Sequence, residues 1–460
     1  MKRAFLYLSL ALAIGGTAVA GDTPVPGVGP FGARVTPDGR EVYVPLFGQF
    51  SPEFVMGDSA AVLDAASGAV VATIPTGLQP EDVAYSPDGK TAFITDSGSA
   101  TLTVVDVATR TVLSTVEVGL PFQTFLFGVE VVDSPKGPRV YVTSTGGNYD
   151  GSEKNVFVVD ANPASSTYLT VVDTIEATGG FTRPAFKRTG RDLVVPRGFP
   201  DNDFSANPRL SVFDLPSNAL ASEVTILPAP GGVHGIEDIA LTPDGRFAYV
   251  AAFDWWGGTD EVFVVDIEEG RVSDIVRLGS GDTAQHGIAS SPDGLLVLVT
   301  NFYAGTVSWV FTPTHTVIRH TPAGAGANEV AFAPGGRRFF VTNQLANSVS
   351  WEDVPAADTL VTLLVEEAIA AGRVSPRARQ DLERRIAHLR RALASGHGAQ
   401  ARAALDQLVR RVRHHATAGE ISIGAAKDLF PPAAGTNDVS TPLDAGGVDS
   451  FDGTLSTLSR

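Results

Sequence analysis

The chain has 460 residues, 48 Gly, 30 Pro and no Cys, with a hydrophobic share of 43% and a formal net charge of −17. The apolar content excludes a disordered polymer, and the absence of Cys excludes disulfides, thiolate metal sites and iron–sulfur clusters. The acidic excess argues against nucleic acid as a partner.

Met1-Lys2-Arg3, an apolar run from Ala4 to Ile14 and Ala18-Val19-Ala20 have the layout of an export signal peptide, residues 1–20. The apolar run is too short to cross a bilayer, and no later segment is apolar enough to do so. The expectation is therefore a secreted, periplasmic or cell-surface protein with no transmembrane segment.

From residue 21 to 356 the chain repeats itself, the first feature to seek in a long sequence. Thr36-Pro37-Asp38-Gly39, Ser86-Pro87-Asp88-Gly89, Thr242-Pro243-Asp244-Gly245 and Ser291-Pro292-Asp293-Gly294 are near-identical turns. Degenerate copies stand at Ser134-Pro135-Lys136-Gly137, Lys187-Arg188-Thr189-Gly190 and Ala333-Pro334-Gly335-Gly336. Pro presets φ, Asp tolerates the following turn position and Gly supplies positive φ, so each copy is a turn between two strands. A third strand ends in Asp, as in Val104-Val105-Asp106 and Val264-Val265-Asp266, and a fourth follows. Seven copies of four strands predict an all-β, seven-bladed β-propeller of four-stranded antiparallel blades. The seventh copy lacks its fourth strand, and the N-terminal residues near Thr23 to Gly27 are expected to supply it.

The composition then changes abruptly. Residues 357–430 are rich in Ala, Leu, Arg and Glu, with 12 basic and 8 acidic residues between 358 and 430. Leu382, Ile386, Leu389 and Leu393, then Leu405, Leu408, Val409 and Val412, fall at helical spacing. Gly372, Gly396 and Gly419 punctuate four expected helices of a small all-α domain. Residues 431–460 read as a flexible tail.

The turn followed by Val299-Thr300-Asn301 or Val341-Thr342-Asn343 resembles the YVTN-family β-propeller repeats of exported and surface-layer-type proteins. Val142-Thr143-Ser144 and Ile94-Thr95-Asp96 depart from that pattern mildly. Residues 358–430 are similar to the FIMAH domain, a helical module appended to secreted bacterial proteins. Leu408-Val409 through Val412 stands where that family has Phe-Ile-x-x-Val. Both resemblances imply fold and cell-envelope context; neither brings a catalytic motif.

In a four-stranded blade, the loops from strand 2 to strand 3 and from blade to blade share one face, here called the top. Ligand sites favour the channel mouth where those loops converge. Trp255 and Trp256, with Asp254 in the same loop and Tyr149 in the corresponding loop of an earlier copy, are the candidate ligand platform, suited to stacking on a sugar or another flat ligand. Glu81, Asp82, Glu237, Asp238, His286, Asn328 and Glu329 align at the start of inner strands and form a row of channel-mouth polar groups. Such carboxylates could cap backbone donors or hold a hard cation such as Ca²⁺; no other cofactor is implied. His234 and His286 with Glu237 could instead serve as an acid/base set. His315 and His320, five apart, should point to opposite faces of one strand.

These readings give a single-copy binding or interaction protein whose partner is a protein, a carbohydrate or another cell-envelope ligand. The alternative is a hydrolase or lyase, of the lactonase or lyase propeller type, with its acid/base site at the mouth.

Overall fold

The computed structural model describes residues 21–423, apart from 50–52, 135, 147–154, 177–184, 187–191, 198–207, 216, 227–234, 254–259 and 281–283. Within them, 28 strands form seven four-stranded antiparallel sheets. Strands β2 (Arg34–Val35), β3 (Glu41–Gln49), β4 (Val55–Asp64) and β5 (Val70–Pro75) make blade 1. Blades 2 to 6 follow in chain order, β6 to β9, β10 to β13, β14 to β17, β18 to β21 and β22 to β25. Their inner strands are β6 (Pro80–Tyr85), β10 (Thr124–Ser134), β14 (Ala185–Phe186), β18 (Gly235–Leu241) and β22 (Gln285–Ser290).

Blade 7 combines β26 (Ala327–Phe332), β27 (Arg338–Asn343) and β28 (Ser348–Asp353) with β1 (Gly21–Pro24) from the other end of the propeller. The closing strand begins two residues and ends three residues earlier than the sequence suggests, with Gly21 opposite Trp351 and Pro24 opposite Ser348. The reason is steric. A Cβ on Gly21 would fall 1.8 Å from the Trp351 ring, and one on Gly68, in a turn of blade 1, 2.2 Å from it. The indole therefore lies against two glycines, one on the closing strand and one on the neighbouring blade. Six blades carry an irregularity between strands 3 and 4, for example between Val104 and Val105; the pair closed by β1 is regular.

The turn chemistry explains the repeat. In blade 1, Thr36 donates its hydroxyl to Asp38 (2.7 Å) and accepts from the Glu41 amide (3.0 Å), while Asp38 accepts from the Arg40 amide (3.1 Å). Ser86, Thr242 and Ser291 build the same turn with Asp88, Asp244 and Asp293. The Ser or Thr before Pro is thus as structural as the Pro-Asp-Gly it precedes.

The Thr of the Val-Thr-Asn pattern joins blades. Thr95 accepts from the Asp82 amide (3.0 Å) and donates to the Phe127 carbonyl of the next blade (2.7 Å). Thr300 joins Gly287 to Asn328, and Thr342 joins Glu329 to Phe31 across the closure. The Asn donates within its own blade, Asn301 to Thr306 and Ser308 (2.9 Å each) and Asn343 to Ser348 and Ser350.

Blade 2 has Asp96 at that position, accepting from Thr101 (2.9 Å) and Thr103 (2.8 Å). Burial raises its pKa to about 7, against the hydroxyl hydrogen bonds that lower it. A carboxyl raised in this way favours the fold below its ordinary pKa of 3.8 and loses that contribution as the pH climbs through about 7. Asp96→Asn restores the residue of blades 6 and 7. It is expected to raise the melting temperature by several degrees at pH 8 and to change it little at pH 4, with about 4 kcal/mol as the upper bound. Thermal melts of both chains at the two pH values check this; a gain that grows toward low pH would refute it.

The C-terminal part contains α1 (Ala357–Ala370), α2 (Pro376–Ala394) and α3 (Gly398–Thr417). Ser375 caps α2 by accepting from the Ala378 amide (3.2 Å), and Pro376 occupies the first turn. Gly372, Gly396 and Gly419 have φ near +70°, the left-handed stops foreseen at helix ends. Three helices replace the expected four among the described residues. After Gly419 the chain turns extended, and Ile421 bridges to Val374. The apolar stripe of α2 also ends earlier than its spacing implies, since Leu389 and Ala392 are buried while Leu393 is exposed.

The core of this helical part is continuous with that of blades 6 and 7. Trp309, Phe339 and Val354 share one cluster with Leu360, Leu364, Leu382, Ile386, Leu408 and Val412. His315 lies in a turn with φ +51° rather than on a strand, and bonds the Tyr249 hydroxyl (2.8 Å). His320 lies on β25 (Thr316–Pro322) beside Ser308 (3.0 Å).

Candidate functional site at the channel mouth

A bulge near the top of the inner strand recurs in five blades. The register shifts between Pro80 and Val83, Leu126 and Val129, Ile236 and Asp238, Gln285 and Ile288, and Ala327 and Val330. The residues inside or beside these bulges are the polar row read from the sequence: Glu81 and Asp82, Glu237 and Asp238, His286, Asn328 and Glu329. A bulge frees residues from the ladder and re-aims their side chains, which is why bulges gather at sites.

The row divides into two chemical groups. Asp82 and Asp238 are structural clasps. Asp82 accepts from its neighbour Val83 (2.8 Å) and from Val129 of the next blade (3.1 Å); Asp238 accepts from Ile239 (2.8 Å) and from Ile288 of the next blade (3.2 Å). Both carboxylates are thus spent on backbone donors. Glu81 and Glu329 are buried as well. Among the described residues, no three His, Asp or Glu side chains come together as a metal-holding group.

The second group converges. His286 Nδ1 lies 2.9 Å from Asn328 Oδ1 and 3.6 Å from Glu237 Oε1, so residues of blades 5, 6 and 7 meet. Asn328 points its Nδ2 at the Phe31 carbonyl (3.5 Å), so its oxygen faces the imidazole. This amide orientation puts the proton on Nδ1 and leaves Nε2 as an acceptor. Phe302 stacks on the His286 ring at 4.4 Å and 21°, and Tyr303 meets Phe302 edge-on at 5.3 Å.

Between a fifth and a quarter of the His286 and Glu237 side chains remains exposed. Burial lowers the His286 pKa to about 4, partly offset by Asn328. Burial, then the nearby Asp238 carboxylate, raises Glu237 to about 8. Both are therefore neutral at pH 7, and their approach is a contact between a carboxylic acid and an imidazole rather than an ion pair.

On the other side of the channel Arg34 reaches from blade 1 to the Val83 carbonyl (3.1 Å) and to Glu130 of blade 3 (2.8 Å). The remaining sequence candidates, His234, Asp254, Trp255, Trp256 and Tyr149, lie outside the described residues. Phe302 and Tyr303 escaped the sequence reading. Their signal was the same as that of Trp255-Trp256, two adjacent aromatics in a loop between strands 2 and 3.

Residues 359–433 match the FIMAH domain. The helical part described above is that match. The solved structure of Kuenenia stuttgartiensis hydrazine synthase resembles this chain with a TM-score of 0.59 at 19% identity, covering 72% of this chain and 97% of that one. At that identity the likeness shows the propeller fold alone. No curated protein matches the sequence. No helix among the described residues is long and apolar enough to cross a membrane.

Proposed function

We propose that the protein is an exported binding protein of the YVTN-repeat type that holds a hydroxyl-bearing ligand, a carbohydrate of the cell envelope, at the channel mouth. One observation carries this reading. An aromatic ladder of His286, Phe302 and Tyr303 stands directly beside the Glu237 carboxyl and the Asn328 amide. Flat rings next to neutral donors and acceptors suit a sugar, whose C–H face stacks and whose hydroxyls hydrogen-bond. The export layout of residues 1–20 supports the extracytoplasmic setting.

Calorimetric titration with neutral envelope oligosaccharides tests the reading. His286→Ala and Tyr303→Ala are each expected to weaken binding about tenfold or more, since a lost stack and hydrogen bond are worth about 1–2 kcal/mol. Tyr303→Ala should melt like the parent chain, because Tyr303 is largely exposed, whereas His286→Ala, which also removes the contact to Asn328, should melt a few degrees lower and still be folded. Unchanged affinity in both variants would remove the mouth as the ligand seat.

The enzymatic reading rests on a separate observation. Glu237, protonated to about pH 8, lies 3.6 Å from Nδ1 of a neutral His286 whose other nitrogen, Nε2, is the base, so an acid and a base stand in one cluster without facing each other. It calls for turnover of a candidate lactone or uronate polymer that disappears in His286→Ala while binding of the same compound persists.

A further inference from the structure

The helical part is basic in an otherwise acidic chain. Residues 357–423 carry 11 Arg, no Lys and seven Asp or Glu, while the whole chain has a formal net charge of −17. Five of those seven carboxylates are already engaged inside the helical part. Glu366 pairs with Arg390 (2.8 Å), Glu367 with Arg373, and Glu383 with Arg379 (2.9 Å). Asp381 lies 2.6 Å from Arg411 and 3.1 Å from His415, whose other ring nitrogen is 2.6 Å from Glu420. Arg377, Arg391 and Arg410 are left with no ion pair among the described residues.

The uncompensated charge gathers on one side. Along α2, Arg377, Arg384 and Arg391 recur every seventh residue, with His388 between the last two. That spacing places all four within an arc of about 60° and sets successive Arg about 10 Å apart. Asp381 and Arg385 point into the seam with α3, where they meet Arg411 and Gln407. Arg410 and His414 flank the same seam on α3. The two flanks come together where α2 begins and α3 ends: the His415 hydrogen bond lowers the Glu420 pKa, and the charges of Arg377 and His414 add to that lowering. All six flanking side chains are exposed. Leu393, the exposed large apolar residue of the helical part, lies on the opposite side of α2.

This chemistry selects the occupant. A row of guanidinium groups suits a linear polyanion that offers its carboxylates in a row, each able to accept the planar fork of an Arg. A bilayer would need an apolar face to insert, and a single nucleic-acid strand would need aromatic rings for its bases. The face has neither. At physiological salt the field of the acidic blades fades over about 8 Å, so the local charge of the face decides.

We infer that the outer face of the α2–α3 hairpin is a docking surface for an acidic polysaccharide, a linear polymer of uronate type. It lies apart from the channel mouth and does not rest on the ligand reading there.

Fluorescence anisotropy of a labelled oligogalacturonate, titrated with the full chain at 50 and 300 mM NaCl, tests this. Binding at 50 mM that weakens about tenfold or more at 300 mM is expected, because exposed charges are screened. Arg384→Gln combined with Arg391→Gln should cost about tenfold or more in affinity at an unchanged melting temperature, since both side chains face solvent. Arg379→Gln combined with Arg390→Gln removes the same charge from the other side of α2 and should leave affinity within about twofold of the parent. No binding by the parent chain overturns the inference. So does an equal loss in the two double variants, which would make overall charge the cause, or tighter binding to phosphatidylglycerol vesicles or single-stranded DNA than to the uronate. His286→Ala should bind the oligogalacturonate like the parent; a loss there would place the uronate at the mouth and overturn the helical face.

Discussion

A chain lacking residues 21–24 is expected to melt about 10 °C or more below the parent and to gain affinity for other strands. Four residue pairs hold β1 on β28, and among the described residues no other strand pairs with that edge of blade 7. Trp351 would lose the Gly21 backbone from one face, although Gly68 keeps the other. The links that remain, Val25 to Asn347 (3.0 Å), Gly29 to the Asn347 side chain (2.8 Å) and Thr342 to Phe31 (2.6 Å), would then have to hold the junction without the strand. One kcal/mol moves the melting point of a domain this large by about 2 °C, so the predicted drop corresponds to about 5 kcal/mol. An open edge also templates intermolecular pairing, so the truncated chain should aggregate earlier on heating. Asp22→Ala is the control: its side chain points outward, and it should melt within about 1 °C of the parent, as surface substitutions do. Scanning calorimetry of the three chains decides the matter, and a truncated chain with the parent's melting temperature would mean that the ring is not sealed by this strand.

The same strand shows what the sequence could convey. The missing fourth strand of the last copy was countable, so ring closure followed from arithmetic on the repeat. The exact residues did not, because the position of β1 is set by a side chain 330 residues away: only glycine fits against Trp351. Turn chemistry was legible wherever Pro-Asp-Gly recurred, yet the Ser or Thr before it and the Thr that joins blades became functional parts of the fold only in three dimensions. At the mouth, aligned positions identified the right row of polar residues. Which of them meet was not legible, since Asp82 and Asp238 look like Glu237 in a list of carboxylates. The inner-strand bulge turns the two Asp onto neighbouring backbone and sets Glu237 beside His286. The helical part misled at its end, where Leu393 keeps the period of a buried residue but lies on the exposed side of the turn that buries Ala392.

Blades 6 and 7 are also joined by charge, and here the largest single-residue effect is expected. Arg319 on β25 and Glu352 on β28 lie 2.7 Å apart with 11% and 4% of their side chains exposed. Arg319 also lies over the Trp309 ring at 5.0 Å, and the Trp309 indole donates to Thr321 (3.0 Å). Burial raises the Glu352 pKa and lowers that of Arg319, each opposed by the other's charge. Arg319→Met keeps the stem against Trp309 but strands the carboxylate, which costs about 3–5 kcal/mol for a buried pair broken on one side. The sign with pH follows from the raised carboxyl. Without Arg319, Glu352 is held protonated more strongly, so the variant's deficit should shrink as the pH falls toward the ordinary carboxyl range and be greatest above neutrality. Adding Glu352→Leu to Arg319→Met removes the stranded group and should recover most of the loss, because an apolar pair of similar volume replaces a buried ion pair at little cost. Urea denaturation of the single and double variants at pH 5 and pH 8 measures all three statements. A double variant as unstable as the single one would show that the pair holds the two blades by its charge rather than by filling the space between them.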